Sequence, residues 1–418
     1  MATNPPFVPG ATRGISLGES PRMRRSRRSE LAIWWREIDR LLLLLVLVLM
    51  AIGTLAVAAS SPASARRLST SAVKLDDLHF FTLHLRFQLV GLAAMFGASL
   101  LSKDMARRLG IVLGFAMLVG LILVPVIGHE VNGAKRWLNL GMSLQPSEFL
   151  KPAFAIVLAW ILSWRARDPK LPVVEIASGL MLVVAALLMA QPDFGSAVLF
   201  GGVWFVLILL SGISVKKIFA AGVGGFGMLI AAYLFYDNAR HRIDAFLGGG
   251  GEFDQVALAE RTLLAGGWTG SGLWLGTRKL SLPEAHTDYI FSVIGEEFGL
   301  IVCAIIVMLY LALVARVLLR LMEEEDLFTT LAATGLTAQL GGQAFINLLV
   351  NLQLFPSKGM TLPLISYGGS STIALCLGVG FLLAITRRNP FIEREGFTRR
   401  GSPARGSGPV RTSKGQAK

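Results

Sequence analysis

Long runs of apolar residues alternate with short polar segments along most of this chain. A helix that crosses the hydrocarbon core of a bilayer needs about 20 predominantly apolar residues, and ten segments approach that length. They lie near residues 39–59, 80–101, 110–128, 148–164, 174–190, 196–211, 217–236, 289–315, 328–354 and 368–386. The pattern therefore predicts an all-α fold, a polytopic membrane helical bundle with about ten transmembrane helices.

Basic residues between the apolar segments predict the orientation of this bundle, because Lys and Arg are enriched in cytoplasmic loops. With the N-terminus inside, the basic residues that follow the even-numbered segments all fall on the inner side. They are Arg107, Arg108, Arg165, Arg167, Lys170, Lys216, Lys217, Arg316, Arg320, Arg387 and Arg388. The first outer loop, 60–79, carries Arg66, Arg67 and Lys74 against this rule and slightly weakens it there. We therefore expect both termini in the cytoplasm and a large periplasmic loop, 237–288, between helices 7 and 8.

Composition agrees with a membrane protein, since 53% of the residues are hydrophobic and 16% are charged. Most of the net charge of +13 comes from the two ends. Residues 1–40 contain eight Arg and four acids, and residues 387–418 contain nine Lys or Arg and two acids. Such ends suit the anionic inner membrane surface, so we predict no nucleic-acid partner. We expect basic, disordered cytoplasmic tails at 1–36 and 391–418 around a transmembrane domain at 37–390.

The segment LPEAHTDYIFSVIGEEFGL, residues 282–300, combines polar residues with the start of an apolar run. Asp288 lies where the loop becomes a helix, and partial desolvation there raises the pKa of a carboxylate toward the range of a general base. In the alternative interpretation, the helix begins at Pro283, Thr287 or Asp288 caps it, and the paired glutamates face a bundle interior. The residues alone leave both interpretations open.

Other polar positions in the apolar regions have a structural and a functional interpretation each. Arg86 lies within the second predicted helix, and Glu148 and Lys151 share one helical face, where they could form a charge-cancelling ion pair. Asp193 in QPDFGS is typical of a turn. Lys358, in the last outer loop, either extends to water or binds an anion such as a phosphate.

The large outer loop is long enough to be a functional element in its own right. Within it, VALAERTLLAGGW predicts a short interfacial helix with Arg261 on its polar side. Its many glycines match no phosphate-binding pattern, and we interpret them as hinge and close-packing residues of a mobile flap.

Four segments together resemble the signature segments of the SEDS family. They are AKRWLNLGMSLQPSEFLKP, QPDFGSA, LPEAHTDYIFSVIGEEFG and FPSKGMTLPLISYGGSS, in that family's order across about residues 36–390. The SKG tripeptide and the basic N-terminal extension resemble the cell-division members more than the elongation members. The resemblance implies a peptidoglycan glycosyltransferase that polymerises lipid II for septal wall synthesis. It also implies a place in the bacterial inner membrane at the septum, with the active site facing the periplasm.

The resemblance also assigns roles to individual positions. Asp288 matches the essential acid of the family's large outer loop and is the expected general base. The other polar cavity positions of the family match Arg86, Glu148, Lys151 and Asp193. Lys358 matches the lysine of the PTKG motif of the division members, which reads PSKG here. Together with Arg261, the basic residues could stabilise the pyrophosphate leaving group.

The donor is α-linked and the product β-linked, so a single inverting displacement without a covalent intermediate is expected. A divalent cation, Mg or Mn, is also implied, and no organic cofactor. The implied partners are a class B penicillin-binding protein, an FtsI-like transpeptidase, and other divisome proteins. The alternatives are a lipid II flippase, a scaffold for a partner synthase, or an elongation-type polymerase. The unusual polar residues concentrate on the predicted outer side, which favours an enzyme over a transporter.

Overall fold

The computed structural model describes residues 27–70, 73–131, 134–139, 141, 143–248, 255–356 and 359–388. Lys358 and most of the two predicted tails lie outside the described residues. Within the predicted N-terminal tail, residues 27–36 belong to a helix.

The described residues form thirteen α-helices. They are α1 (Arg27–Glu37), α2 (Arg40–Leu68), α3 (His79–Ser99), α4 (Lys103–Ile127), α5 (Pro146–Ser163), α6 (Val173–Met189), α7 (Phe194–Leu210), α8 (Val215–Phe235), α9 (Asp237–Leu247), α10 (Gln255–Ala265), α11 (Ile290–Leu321), α12 (Leu327–Asn351) and α13 (Gly369–Ile385).

Each of the ten predicted apolar segments coincides with one helix, namely α2 to α8 and α11 to α13. Six of them, α2, α3, α4, α5, α8 and α11, are long and apolar enough to cross a membrane, and α6, α7 and α13 are shorter apolar helices. The membrane helical fold is thus confirmed. The predicted helix in the large outer loop also forms, as α10.

Helix α2 extends to Leu68, well past the predicted end at residue 59. Its added turns contain buried Ser60, Ser61 and Ser64, and the Ser61 hydroxyl donates to the carbonyl oxygen of Asp77 at 2.7 Å. Protein contacts surround these turns, so the helix continues past the apolar sequence.

A small antiparallel sheet interrupts the otherwise helical fold between α4 and α5. Its strands are β1 (His129–Val131), β2 (Ala134–Asn139) and β3 (Ser143–Leu144), in the order β1-β2-β3. The all-α expectation missed this sheet, whose short strands lack the length of an apolar run. The sheet matters for the site because β2 carries Arg136.

Helix α11 begins close to the start of the predicted segment, but it is interrupted in its middle. It begins at Ile290, and its N-cap residue, Tyr289, makes no side-chain capping bond. The alternative interpretation, in which the helix begins at Pro283 and Thr287 or Asp288 caps it, is therefore wrong, because residues 283–289 form turns. Further along, Gly299 has φ 85° and ψ 170°, which divides α11 into two segments.

The interior of the bundle is built around α5, α12 and α13, whose residues are mostly buried. Helix α8 lies at the periphery and buries none of its residues. The turn with Asp288 and the small sheet lie at one end of this bundle, which we call the site end.

Candidate active site

Asp288 lies in the turn that leads into α11, and its main chain is anchored on α12. The side-chain amide of Asn347 donates to the carbonyl oxygen of Asp288 at 2.8 Å, and that of Asn351 donates to the same oxygen at 3.1 Å. The carboxylate is partly buried and receives no hydrogen bond from any described residue. Its oxygens are therefore available to a substrate proton.

The anchoring amides belong to a row of polar residues on one face of α12. Besides Asn347 and Asn351, Gln343 donates from Nε2 to the carbonyl oxygen of Thr361 at 3.0 Å. Asn347 also donates to the carbonyl oxygen of Met360 at 2.7 Å. The sequence analysis missed this row, although amides at every fourth position of an apolar helix are a visible signal.

Electrostatics at the turn raise the pKa of Asp288 to about 7. Burial is the main cause, and the negative charges of Glu284 and Glu148 add to it. The positive charges of Arg136 and Arg242 act in the opposite direction. A carboxyl group with a pKa near neutrality is suited to general-base catalysis, because it is both partly ionised and basic enough to accept a proton.

Two arginines that the sequence analysis did not select lie within electrostatic range of Asp288. Arg136 on β2 is held by the carbonyl oxygens of Gln191, at 3.0 Å, and Pro192. Burial and the nearby charge of Arg136 lower the pKa of Arg242 on α9. Two cations that repel each other beside a carboxylate form a site that favours an anion with more than one negative charge.

Asp193 belongs to the same charge cluster. Its Oδ1 atom accepts a hydrogen bond from the backbone N–H of Ser196 at 3.2 Å, so it caps α7. Its negative charge partly offsets the lowering of the Arg242 pKa by burial and by Arg136. The turn-forming role expected from the sequence is present, and the side chain also contributes charge to the site.

Glu148 and Lys151 form the ion pair expected from their spacing on α5. Nζ of Lys151 lies 2.6 Å from Oε1 of Glu148 and 3.4 Å from Oε1 of Gln343. Both residues are buried, and Oε2 of Glu148 finds no hydrogen-bond partner among the described residues. The negative charge of Glu148 also helps to raise the pKa of Asp288, so the pair belongs to the candidate site.

For three other predicted site residues, the described part of the chain shows no contact with Asp288. Arg86 on α3 and Arg261 on α10 have exposed side chains, and no hydrogen bond or ion pair connects them with Asp288 in the described part of the chain. Lys358 lies outside the described residues. Its neighbour Gly359 is close to the site, since a methyl group on its Cα would lie 3.6 Å from Oδ2 of Asp288.

The last outer loop packs against the Asp288 turn through an aromatic contact. The His286 ring lies 4.3 Å from the Phe80 ring and 5.3 Å from the Tyr367 ring. Burial lowers the pKa of His286 to about 4, so the ring is neutral near pH 7. The Ser366 hydroxyl donates to the carbonyl oxygen of Thr287 at 2.6 Å. Thus α3, α12 and the last loop all hold the turn.

An apolar cavity of about 670 Å³ lies beside the charged cluster, between α6, α7 and α8. Most of its lining is aliphatic or aromatic, and it includes Trp204 and Phe226. At the site end it reaches Phe194 and Tyr236, which adjoin Asp193 and α9 in the chain. An apolar cavity that meets a cationic site suits a molecule with a lipid tail and an anionic head.

A family model for the FtsW, RodA and SpoVE cell cycle proteins matches residues 39–390. The chain belongs to this family. The resemblance to SEDS proteins is thereby confirmed. One relative, "Probable peptidoglycan glycosyltransferase FtsW" from Caulobacter vibrioides, is 36% identical and covers 88% of this chain and 93% of its own length. A relative of the same name from Trichlorobacter lovleyi is 35% identical and covers 84% and 93%.

Two solved structures support the same relationship. One comes from a study titled "Structural coordination of polymerization and crosslinking by a peptidoglycan synthase complex" and aligns with a TM-score of 0.67 at 28% identity. It covers 84% of this chain and 98% of that one. The rod shape determining protein RodA of Thermus thermophilus aligns with a TM-score of 0.60 at 29% identity, covering 84% and 97%.

Proposed function

We propose that the protein is a peptidoglycan glycosyltransferase that polymerises lipid II during septal wall synthesis. The observation that carries this proposal is the carboxylate of Asp288, which receives no hydrogen bond from the described residues and lies within electrostatic range of two arginines near an apolar cavity. The curated relatives with the division-type name favour a role in division over one in elongation.

In the proposed reaction, a sugar hydroxyl of the acceptor attacks the anomeric carbon of the donor. The bond between that carbon and the pyrophosphate oxygen breaks, and the configuration inverts. The hydroxyl proton passes to the Asp288 carboxylate. A positioned base of this kind typically contributes about 10²–10⁴-fold to the rate.

Arg136 and Arg242 are proposed to stabilise the charge that develops on the departing pyrophosphate. Lys151 is paired with Glu148, so it contributes less free positive charge than its sequence position implies. Arg86, Lys358, Glu148 and Asp193 remain proposed substrate contacts from the family resemblance. Arg261 remains one from its place on the polar side of the loop helix.

The apolar cavity between α6, α7 and α8 is proposed to hold part of the polyprenyl chain of lipid II. A polyprenyl chain needs an apolar surface, and its pyrophosphate then falls next to the arginines of the site end. Because the donor stays anchored in the membrane, the reacting carbon is delivered to Asp288 in a limited range of orientations.

A divalent cation, Mg or Mn, also remains a proposal from the resemblance. In the described part of the chain, no group of three or more His, Cys, Asp or Glu side chains could hold a metal ion. Around Asp288 the acids alternate with arginines, which is a poor donor set for a cation supplied by protein alone. The steps above are therefore assigned to side chains.

A class B penicillin-binding protein of the FtsI type is the proposed partner, together with other divisome proteins. One structural neighbour comes from a study of a synthase complex that couples polymerisation with crosslinking. The proposed location is the inner membrane at the septum, with the site end facing the periplasm.

The test is polymerisation of purified lipid II by the purified protein, with and without the cognate transpeptidase carrying an inactivated serine. We expect glycan chains that muramidase digests, and more of them with the partner. Transport of fluorescent lipid II across proteoliposomes without any polymer would support the flippase and overturn this proposal.

A further inference from the structure

Two buried glutamates shortly after the Asp288 turn have no role in the site described above. Glu296 and Glu297 lie in the first segment of α11 and are only 2% and 1% exposed. Instead of facing only other helices, they bind the end of the large outer loop. We call residues 266–281 of that loop the outer flap.

Glu296 binds the flap through both of its carboxylate oxygens. Oε1 accepts a hydrogen bond from the backbone N–H of Arg278 at 2.6 Å, and Oε2 accepts one from Lys279 at 2.9 Å. Gly276 lies against the same carboxylate, because a methyl group on its Cα would come within 2.6 Å of Cδ. The flap backbone therefore packs closely against the Glu296 side chain.

Glu297 uses both of its oxygens in the same way. It accepts a hydrogen bond from the backbone N–H of Trp274 and forms an ion pair with Lys279. Nζ of Lys279 also donates to the carbonyl oxygen of Ala59 in α2 at 3.0 Å. Together the two glutamates and the lysine link three parts of the molecule: the flap, α11 and α2.

The flap also replaces backbone hydrogen bonds that α11 loses at Gly299. In a continuous helix, the carbonyl oxygens of Glu296 and Glu297 would accept from the N–H groups of Leu300 and Ile301. Here all four groups bond to the flap: Ser271 N–H to Glu296 at 2.8 Å, Gly272 N–H to Glu297 at 3.0 Å, Leu300 N–H to Gly267 at 3.0 Å and Ile301 N–H to Trp268 at 3.3 Å.

Residues 290–298 are consequently a short helical segment whose direction does not follow from the rest of α11. Its orientation depends on the elements that it contacts, among them the flap. Asp288 lies two residues before this segment, so a change in the segment's orientation moves the carboxylate.

We propose that Glu296, Glu297 and Lys279 are positioning residues for glycosyl transfer. They hold the flap in the break of α11 and thereby fix the segment that places Asp288 within electrostatic range of Arg136 and Arg242. This inference rests on the proposed function for its kinetic test, whereas the hydrogen-exchange test of the flap does not depend on it.

The alternative is that this cluster stabilises the fold and has no effect on the reaction. The two ideas differ in what they predict for kcat and KM. A positioning role lowers kcat at nearly constant KM, since misplacement of a catalytic group by about 1 Å costs up to about 10²-fold. A purely stabilising role lowers the yield or thermal stability but leaves kcat per folded molecule unchanged.

The main variant is the double change Glu297→Gln with Lys279→Met, because removing both members of the ion pair leaves neither of them buried without its partner. The single change Glu296→Gln is the second variant, since it keeps size but removes one acceptor. Lys217→Met is the matched control, as Lys217 forms an exposed ion pair with Glu175 at 2.7 Å. Hydrogen exchange of residues 266–281 reports on the flap independently of activity.

We expect flap exchange to rise at least about tenfold, and kcat to fall about 10–100-fold with KM changed less than about threefold. The control should change neither quantity. Unchanged flap exchange in both cluster variants would overturn the proposal, and so would faster exchange with unchanged kcat. If the wild-type protein itself forms no polymer, the proposed function fails, whereas the exchange result still decides whether the cluster holds the flap.

Discussion

Two aspartates lie within two residues of the start of long apolar helices, and the structure uses them in opposite ways. Asp39 precedes α2 and is 3% exposed. Its Oδ1 atom accepts hydrogen bonds from the backbone N–H groups of Leu41 and Leu42, each at 3.1 Å. Its Oδ2 atom accepts from Arg316 at 2.8 Å and from Arg320 at 2.9 Å. The carboxylate of Asp39 has no free oxygen.

The difference appears in the acidity of the two groups. Burial alone would raise the pKa of Asp39, but the hydrogen bond from Arg316 and the charge of Arg320 hold this pKa below its usual value. At Asp288 burial prevails, with Glu284 adding to it, and the pKa rises to about 7. Arg136 and Arg242 lie near enough to act by charge, and no described residue donates a hydrogen bond to that carboxylate.

The position of an acid ahead of an apolar helix therefore does not by itself distinguish a structural carboxylate from a catalytic one. An ionised carboxylate with four donors is a structural anchor, since accepting a proton would break its bonds. A carboxylate without donors, beside cations that do not bind it directly, is able to exchange a proton with a substrate. The predictions below test this contrast between the two ends of the bundle.

The largest effect is expected for Asp288→Asn, which removes the proton acceptor and keeps the size of the side chain. Glycan polymerisation should fall by at least about 10²-fold, and by up to about 10⁴-fold, in an assay with purified lipid II. Insertion and thermal stability should stay near wild type, because the main-chain bonds to α12 remain. Near-normal polymerisation would remove Asp288 from the role of general base and end the contrast with Asp39.

A smaller loss is expected for Arg242→Gln, which removes one of the two cations beside Asp288. We expect kcat to fall about 10–100-fold, a loss comparable to or smaller than that of an oxyanion-stabilising donor. The acid limb of the pH profile should also move to higher pH, because the charge of Arg242 lowers the pKa of Asp288.

Arg240→Gln is the matched control on the same helix. Arg240 is exposed and lies over the Tyr233 ring, 5.8 Å from its centroid. It should change neither kcat nor the pH profile. Equal losses in both arginine variants would show that α9 contributes general positive charge and that Arg242 has no specific position.

Much of this arrangement was predictable from local sequence, because long apolar runs and short spacings are local signals. The ten apolar segments, the Glu148–Lys151 pair and the candidate acid Asp288 all follow from residues that are close in the chain. Arg136 and Arg242 were not predictable in this way. They are far apart in sequence and become neighbours of Asp288 only through the packing of a short strand and a loop helix.

The break in α11 at Gly299 was not predictable from local sequence either, although the sequence analysis selected the segment that contains it. The sequence GEEFGL has the apolar neighbours of a continuous helix. Only the flap explains why the helix opens at Gly299, because its backbone supplies the partners that the interrupted helical bonds require. The glycines interpreted as hinge and close-packing residues include Gly266 and Gly270, which lie in close backbone contact with α11 here.

At the opposite end of the bundle, Asp39→Asn should reduce stability and leave the chemistry intact. The amide loses the charge of the pair with Arg316 and Arg320, at a cost of about 2 kcal/mol. The pKa of Asp39 is lowered in the folded protein. The stabilisation of the fold by its ionised carboxylate is therefore complete above the unfolded-state pKa and is lost as the pH falls through the folded-state pKa. Thermal unfolding should therefore show a gap between wild type and variant at pH 7 that closes in acid.

Activity per folded Asp39→Asn molecule should remain within about twofold of wild type, since Asp39 has no part in the proposed reaction. A large loss of kcat at unchanged stability would contradict the separation of the anchoring aspartate from the reacting one.

The smallest effect is expected for Glu284→Gln, which changes the charge next to Asp288 without touching it. Among the described residues, the charges that act on Asp288 come from Glu284 in its own turn, Arg136 on β2, Arg242 on α9 and Glu148 on α5. Since the negative charge of Glu284 raises the pKa of Asp288, its removal should move the acid limb of the polymerisation profile to lower pH. The glutamine can still accept the hydrogen bond that Thr287 donates to Oε2 at 2.8 Å.

The plateau rate above the acid limb should stay nearly unchanged in this variant, because the reacting group and the arginines are intact. Glu130→Gln provides the control, since Glu130 is an exposed acid of β1 at the same end of the bundle. If both variants shift the profile equally, the effect comes from the overall charge of this end. If only Glu284→Gln shifts it, the titrating group lies in the turn. Burial and the charge of Glu284 raise the pKa of Asp288 there, whereas Arg316 and Arg320 lower the pKa of Asp39 at the other end.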